Sequence, residues 1–171
     1  MRIFQYGSNC LDSQLNGDDR LRGDAQFIDI ARADGFELAF NVWSQNRGCA
    51  ASDIITRPGS FVWGALYEVP GYLISRDTAR AAGRRSLDAI EGEGVNYRRQ
   101  TITVLRGGEV PIDAVTYTVI EPVGNLKTNI TYVGYIVAGL KERGVDTNYI
   151  EHVKHLACTN NPTIATEVAA L

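Results

Sequence analysis

Hydrophobic and polar residues alternate in several short segments, a pattern typical of β-strands with one buried face. Two of these segments flank Asp34-Gly35, a strong signal for a tight hairpin turn. Two others flank residues 106–109, where a Gly pair favours a second hairpin. The predicted strands are residues 2–6, 25–33, 36–42, 62–69, 97–105 and 112–120.

Two segments lack a regular pattern. Residues 43–60 are polar, rich in small residues and end near Pro58-Gly59. We predict a long loop there, and long loops inside compact domains often carry function. The tail after Cys158 is interrupted by Asn160-Asn161-Pro162 and is predicted to have no role in the core.

Apolar residues recur at helical spacing in three other segments. Residues 75–91 are predicted to form an amphipathic helix with Gly92 at its C-terminal cap. Residues 132–142 and 147–157 are predicted to form two more helices, with Thr147 as a candidate N-cap of the second. Together with the strands, these helices predict an α+β domain.

Glu91 is the strongest candidate for chemistry because it ends a predicted helix. A helix C-terminus disfavours a negative charge, and Asp88 lies one turn back on the same side. Both effects would raise the pKa of Glu91, as general acid/base catalysis near neutral pH requires. The alternative is a solvated Glu in a last turn, with Arg84 offsetting the charge of Asp88.

The first predicted strand leads into a turn of sequence Gly-Ser-Asn at residues 7–9. Leu11 and Leu15 then have helical spacing, so Asn9 is a candidate N-cap, with Asp12 three residues later. Backbone N–H groups at a helix N-terminus bind anions. The loop is too short for a phosphate-binding loop, so a small carboxylate is the expected ligand. An ordinary strand-to-helix turn is the alternative.

Composition predicts one domain spanning residues 1–171, with 44% hydrophobic and 22% charged residues. A net charge of −3 argues against nucleic-acid and anionic-membrane surfaces, so small molecules are the expected partners. No apolar run is long enough for a secretory signal or a membrane span, and we expect a cytoplasmic protein. The composition is compatible with a homodimer.

The cysteines and histidines suggest no metal site. Cys10, Cys49 and Cys158 include no close pair, so we expect reduced thiols. Cys10 would lie in the first turn of a helix, where a thiolate is favoured, but no His is close to it in sequence. His152 and His155 have a spacing that suits a metal but lack further ligands, so we expect neither a metal nor another cofactor.

Four segments in a fixed order resemble the γ-glutamylcyclotransferase-like family. They are Tyr6-Gly7-Ser8-Asn9 after the first strand, residues 62–69 as a central strand, residues 87–92 followed by Tyr97-Arg98-Arg99, and a late block with Tyr132, Ile136, Gly139, Gly144 and Tyr149. The resemblance runs from about residue 3 to residue 156. It implies a small mixed β-barrel flanked by helices.

The resemblance also implies an activity, the release of 5-oxoproline from γ-glutamyl compounds by attack of the substrate's own α-amine. Glu91 would be the general acid/base, and the nucleophile would come from the substrate. The remaining implied residues bind the substrate: Tyr6, Gly7, Ser8 and Asn9 hold the γ-glutamyl head group, and Tyr97, Tyr117 and Tyr132 surround the pocket, each able to donate a hydrogen bond.

Some positions depart from the family pattern. Gln5 and Cys10 stand where aliphatic or larger apolar residues are common, and Thr128-Asn129 occupies the stretch where a Pro-Ser pair is often found. Because of these departures, the resemblance does not specify which amine or amino acid is the leaving group. The leading hypothesis is a cyclotransferase that acts on γ-glutamyl amino acids or peptides. The second is a cyclotransferase that acts on γ-glutamylamines or on a γ-glutamyl-protected biosynthetic intermediate. The third is a non-catalytic relative that binds a small ligand.

Overall fold

Five strands close into a mixed β-barrel in the computed structural model, which describes residues 1–171. Around the barrel the strand order is β1-β3-β2-β4-β5. Neighbours are antiparallel except β1 and β5, which run parallel with Ile3 opposite Val115. The strands are β1 (Arg2–Gln5), β2 (Gln26–Ser44), β3 (Cys49–Glu68), β4 (Tyr97–Arg106) and β5 (Val110–Val119).

Six α-helices surround the barrel, and none is long and apolar enough to cross a membrane. Short 3-10 segments at Ser8–Cys10, Gly71–Leu73 and Pro162–Ile164 connect some of these elements. The helices are α1 (Asp12–Leu15), α2 (Arg76–Ala81), α3 (Leu87–Glu91), α4 (Ile130–Glu142), α5 (Thr147–Asn160) and α6 (Ala165–Ala169). The predicted class and the barrel are therefore confirmed.

The predicted hairpin at Asp34-Gly35 is wrong, because β2 continues through it. Gly35 has φ of 79° and is unpaired between Asp34, opposite Phe61, and Phe36, opposite Thr56. The conformational freedom of Gly35, which suggested a turn, instead allows a local irregularity that bends a long strand. The second predicted hairpin is confirmed: β4 and β5 pair along their full length across the Gly pair.

The predicted long loop over residues 43–60 is also wrong. β2 runs to Ser44 and β3 begins at Cys49, so the connection is a turn of residues 45–48. The small residues that suggested a loop, among them Ala51 and Ser52, are buried near α4. Small side chains here allow close packing of strand and helix, so the absence of bulky residues does not indicate solvent exposure.

The predicted single helix over residues 75–91 is broken in two. Gly83 has φ of +65° and ends the first part, and Ser86 then caps α3 by accepting a hydrogen bond from the Ala89 N–H at 3.0 Å. Gly92, with φ of 72°, caps the C-terminus of α3 as predicted. Glu91 therefore ends a helix of only five residues.

The two C-terminal helices are confirmed, with two differences. Asp146 caps α5 by accepting from the Asn148 N–H at 2.8 Å, so Thr147 is not the cap. The tail is not outside the core, because Ile164 and Val168 are buried in the same apolar cluster as the barrel. That prediction failed because a 3-10 turn and a five-residue helix with one buried residue each leave little periodicity to detect.

Helix α4 lies against the segment that follows β1. A Cβ at Gly139 would collide with the backbone of Cys10 and Leu11, so only glycine allows this approach. The Cys10 carbonyl accepts hydrogen bonds from the Tyr67 hydroxyl on β3 at 3.0 Å and from Nε of Arg143, which follows α4, at 3.2 Å. The 3-10 turn Ser8–Cys10 is thereby fixed between α4 and the barrel.

Candidate active site

The carboxyl group of Glu91 lies where β1 leaves the barrel. Its Oε1 accepts hydrogen bonds from Gln5 Nε2 at 2.9 Å and Asn9 Nδ2 at 2.8 Å. Both donors are neutral amides, one at the end of β1 and one in the 3-10 turn. They fix one oxygen, and Oε2 is left without a protein partner.

Burial raises the pKa of Glu91, and the charge of Arg20 and the hydrogen bonds from Gln5 and Asn9 oppose that rise. The direction agrees with the prediction, but Asp88 is not among the causes. Asp88 is buried and engaged elsewhere, since Arg99 Nη1 lies 2.9 Å from its Oδ2. Removal of the carboxyl from water is the main cause.

The loop of residues 6–9 differs from the predicted helix N-terminus. Asn9 is not an N-cap, because it lies within the 3-10 turn and its side chain donates to Glu91. Gly7 has φ of −103°, which other residues adopt, so its requirement is steric. A Cβ at Gly7 would collide with Ser52 Oγ. The Gly7 N–H makes no hydrogen bond within the protein.

Four tyrosines lie in or around this loop, and each hydroxyl group forms a hydrogen bond within the protein. The hydrogen bonds are Tyr6 Oη to the Tyr117 carbonyl at 2.5 Å, Tyr97 Oη to the Ser52 carbonyl at 2.8 Å, Tyr117 Oη to Asp88 Oδ1 at 2.7 Å, and Tyr132 Oη with Ser52 Oγ at 2.8 Å. Burial raises the pKa of all four phenols, so they stay neutral. Their rings line the cavity, and each hydroxyl group has a hydrogen-bond partner within the protein.

All eight residues predicted from sequence line one inner cavity of about 40 Å³, together with Gln5 and Ser52. Those eight are Tyr6, Gly7, Ser8, Asn9, Glu91, Tyr97, Tyr117 and Tyr132. The cavity opens into an outer cleft of about 730 Å³. Five residues line both spaces: Ser8, Asn9, Glu91, Tyr97 and Tyr132. Glu91 therefore lies at the junction between a narrow polar cavity and a wide cleft.

Residues 3–135 match the family model described as gamma-glutamyl cyclotransferase, AIG2-like. The chain belongs to this family. The matched segment contains every residue of the inner cavity, from Gln5 to Tyr132. The family resemblance predicted from four sequence segments is confirmed.

Solved structures support the fold of this cyclotransferase family member. One named gamma-glutamyl cyclotransferase is 24% identical, with a TM-score of 0.75 over 90% of this chain and 86% of that one. An uncharacterized protein from Homo sapiens is 26% identical, with a TM-score of 0.72 over 90% and 85%. A yeast cyclotransferase described as specific to glutathione is 9% identical, with a TM-score of 0.54 over 93% and 98%. No curated protein matches the chain.

The other candidate groups lie outside the cavity. Cys10 is fully buried, and burial raises the pKa of its thiol to about 12. Its Sγ donates to the Gln5 carbonyl at 3.0 Å, so it supports β1 as a thiol and is unsuited to act as a nucleophile. His152 lies beside the Tyr149 ring, and no group of three or more His, Cys, Asp or Glu side chains is placed to hold a metal.

Sequence reasoning missed three residues of this site in the cyclotransferase family member. Gln5 was noted as a departure from the family pattern, and it supplies one of the two hydrogen bonds to Glu91. Ser52 holds Tyr132 and limits the space at Gly7, but it lay in a segment predicted as a loop. Arg20 affects the pKa of Glu91 from a segment without regular structure. Only Gln5 carried a signal, because a polar residue at the buried end of a strand needs a partner.

Proposed function

We propose that this protein is a γ-glutamyl cyclotransferase that releases 5-oxoproline and a free amine or amino acid, with Glu91 as the general acid/base. The observation that carries the proposal is the partly buried Glu91 carboxyl, which has a raised pKa and lies at the junction of the inner cavity and the outer cleft. Membership of the cyclotransferase family supports this reaction class.

The reaction balances without water or a co-reactant. The α-amine nitrogen of the substrate forms a bond to its own γ-carbonyl carbon and closes a five-membered lactam. The bond from that carbon to the leaving nitrogen then breaks. The α-ammonium gives up two protons to become the lactam N–H, and the leaving nitrogen gains two to become an ammonium.

Glu91 has the properties needed to move a proton between these two nitrogens. Its ionised form accepts a proton from the attacking amine, and its protonated form gives one to the departing amine. A raised pKa brings both forms closer to working pH. Because Gln5 and Asn9 both bind Oε1, Oε2 is the oxygen free to exchange the proton.

The γ-glutamyl head group would occupy the inner cavity. The Gly7 N–H lines this space without a protein partner, so it can donate to the α-carboxylate. The tyrosine rings limit the positions open to the glutamyl chain, and holding amine and carbonyl near attack geometry removes several kcal/mol, about 7 to 11 in the best cases. The leaving group would then extend into the outer cleft.

The test is a mass-spectrometric screen of γ-glutamyl compounds for 5-oxoproline, with wild type and Glu91→Gln side by side. We expect wild type to release 5-oxoproline from at least one compound and the variant to release little. A substrate with its α-carboxylate amidated should be poor, since the contact with the loop is lost. Release at an equal rate by Glu91→Gln would contradict the role of Glu91, and no release from any compound would contradict the function.

A further inference from the structure

Three arginines line the outer cleft between Glu91 and solvent. Arg20 follows α1, Arg47 lies in the turn between β2 and β3, and Arg85 lies between α2 and α3. Besides Glu91 itself, Asp19 is the only acidic residue in the cleft lining. The cleft therefore carries an excess of positive charge in a protein whose net charge is −3.

The Arg20 side chain has no direct partner within the protein. Its Nε is buried without a hydrogen-bond partner, and the side chain forms no ion pair. Arg85 Nη1 lies 3.8 Å from Asp19 Oδ2. The Asp19 side chain is 85% exposed, so solvent weakens this ion pair. The Nε is shielded from solvent, but the Arg20 side chain lines the cleft, where a carboxylate can accept from its terminal N–H groups.

Arg47 adds positive charge without an acidic partner. Its Nη2 donates to the neutral Gln14 side chain at 2.5 Å, and its guanidinium lies 4.8 Å from the centre of the Tyr135 ring. These contacts hold the side chain in place and leave its charge intact. Burial and the charges of Arg47 and Arg85 lower the pKa of Arg20, and the charges of Glu91 and Asp19 oppose that change.

We propose that Arg20, assisted by Arg47 and Arg85, binds a carboxylate on the leaving group. The preferred substrates are then γ-glutamyl amino acids or peptides, and γ-glutamyl derivatives of uncharged or cationic amines are poor. This inference rests on the proposed function, in which the head group fills the inner cavity and the leaving group lies in the cleft. A planar guanidinium with free N–H groups matches a carboxylate in shape and charge.

Arg20 has a second effect that any test must separate from the first. Its charge lowers the pKa of Glu91, although the two side chains form no direct ion pair. Removing Arg20 would therefore change the proton chemistry for every substrate alike. Binding of a leaving-group carboxylate would be lost only for substrates that carry one, so the ratio between two matched substrates isolates it.

The matched substrates are γ-glutamyl-alanine and γ-glutamyl-ethylamide, which differ only in the carboxylate of the leaving group. We would measure kcat/KM for 5-oxoproline release from each, with wild type, Arg20→Gln and Arg20→Lys. Arg80→Gln is the control, because Arg80 is exposed on α2, outside the cleft, and the charge change is the same. Thermal unfolding checks that each variant is folded.

Wild type should prefer γ-glutamyl-alanine, and Arg20→Gln should reduce that preference by about tenfold to a hundredfold, the usual range for a charged hydrogen bond. Arg20→Lys should restore part of the preference and remains informative if Arg20→Gln does not fold. Arg80→Gln should keep the wild-type ratio.

Two results would overturn the inference while leaving the proposed function intact. One is a wild-type enzyme that releases 5-oxoproline equally well from both substrates. The other is an Arg20→Gln variant that slows both equally, which would limit Arg20 to its effect on Glu91. Absence of 5-oxoproline from every γ-glutamyl compound tested would instead overturn the proposed function and this inference with it.

Discussion

Replacing Glu91 by Gln should remove turnover and, above acidic pH, make the protein more stable than wild type. Gln keeps the shape of the side chain, and its carbonyl oxygen can still accept from Gln5 and Asn9, as Oε1 does at 2.9 and 2.8 Å. The amide cannot take up or release a proton at working pH. Loss of a general acid/base typically lowers kcat by about a hundredfold to ten-thousandfold.

The gain in stability follows from the raised pKa of Glu91. Below its unfolded-state pKa of about 4.3 the carboxyl is protonated in both states and contributes no pH dependence. As pH rises from that value through the folded-state pKa, the folded protein holds the proton more tightly, so wild type loses stability. Each pKa unit corresponds to about 1.4 kcal/mol. The Gln variant has no such loss.

Two measurements test this prediction, 5-oxoproline release for kcat and urea unfolding across pH for stability. Glu93→Gln is the matched control, because Glu93 lies two residues further on, pairs with Arg76 at 3.0 Å and does not line the cavity. It should keep most activity. Near-normal kcat in Glu91→Gln, or a stability difference from wild type that shrinks as pH rises, would refute the reasoning.

Two further predictions concern the support of the site. Gly7→Ala should lower kcat/KM by displacing Ser52, and Ser52→Ala should restore part of that loss in the double variant by removing the colliding hydroxyl; equal losses in the single and double variants would contradict this steric account. Asp88→Asn should lower the free energy of unfolding by about 1 to 3 kcal/mol, because it weakens a charged hydrogen bond to partly exposed Arg99. Urea unfolding measures this effect against exposed Asp77→Asn, and equal values for the two would show that the pair with Arg99 contributes nothing.

The direction of the pKa shift at Glu91 was predicted from the sequence, but its main cause was not. Its position at a helix end and before Gly92 was visible in the sequence, and both features are present. The helix has five residues, however, and Asp88 is bound to Arg99. The environment that raises the pKa is made by the loop after β1 and by the barrel, far away in sequence. Local pattern identifies the residue but cannot describe that environment.

Glycines with positive φ explain two of the errors in the predicted elements. Gly35, Gly83 and Gly92 all have positive φ, yet the first bends a continuous strand, the second breaks a helix and the third caps one. Sequence indicates that an unusual backbone conformation is available at such positions. Which form it takes depends on the strand or helix packed against it, and that information is not local.

The hydrogen bonds that build the site could not be predicted from local sequence either, because they join residues that are far apart in the chain. Gln5 is 86 positions from Glu91, and Ser52 is 80 positions from Tyr132. Each pair joins a barrel strand to a helix packed outside it: β1 to α3, and β3 to α4. Periodicity predicted most strands but could not order them, so the residues that hold Glu91 and Tyr132 could not be identified from pattern alone.

Both hydrogen-bond donors to Glu91 are neutral amides, and this affects the pKa of its carboxyl group. A Lys or Arg in direct contact would stabilise the ionised carboxylate strongly and lower its pKa. Two amide donors orient the carboxyl group with a smaller bias toward ionisation, and Arg20 acts without a direct ion pair. Burial can then remain the main influence and raise the pKa. A carboxyl that is firmly oriented but weakly charge-paired can change protonation state without losing its position, which is what transfer of a proton between two nitrogens requires.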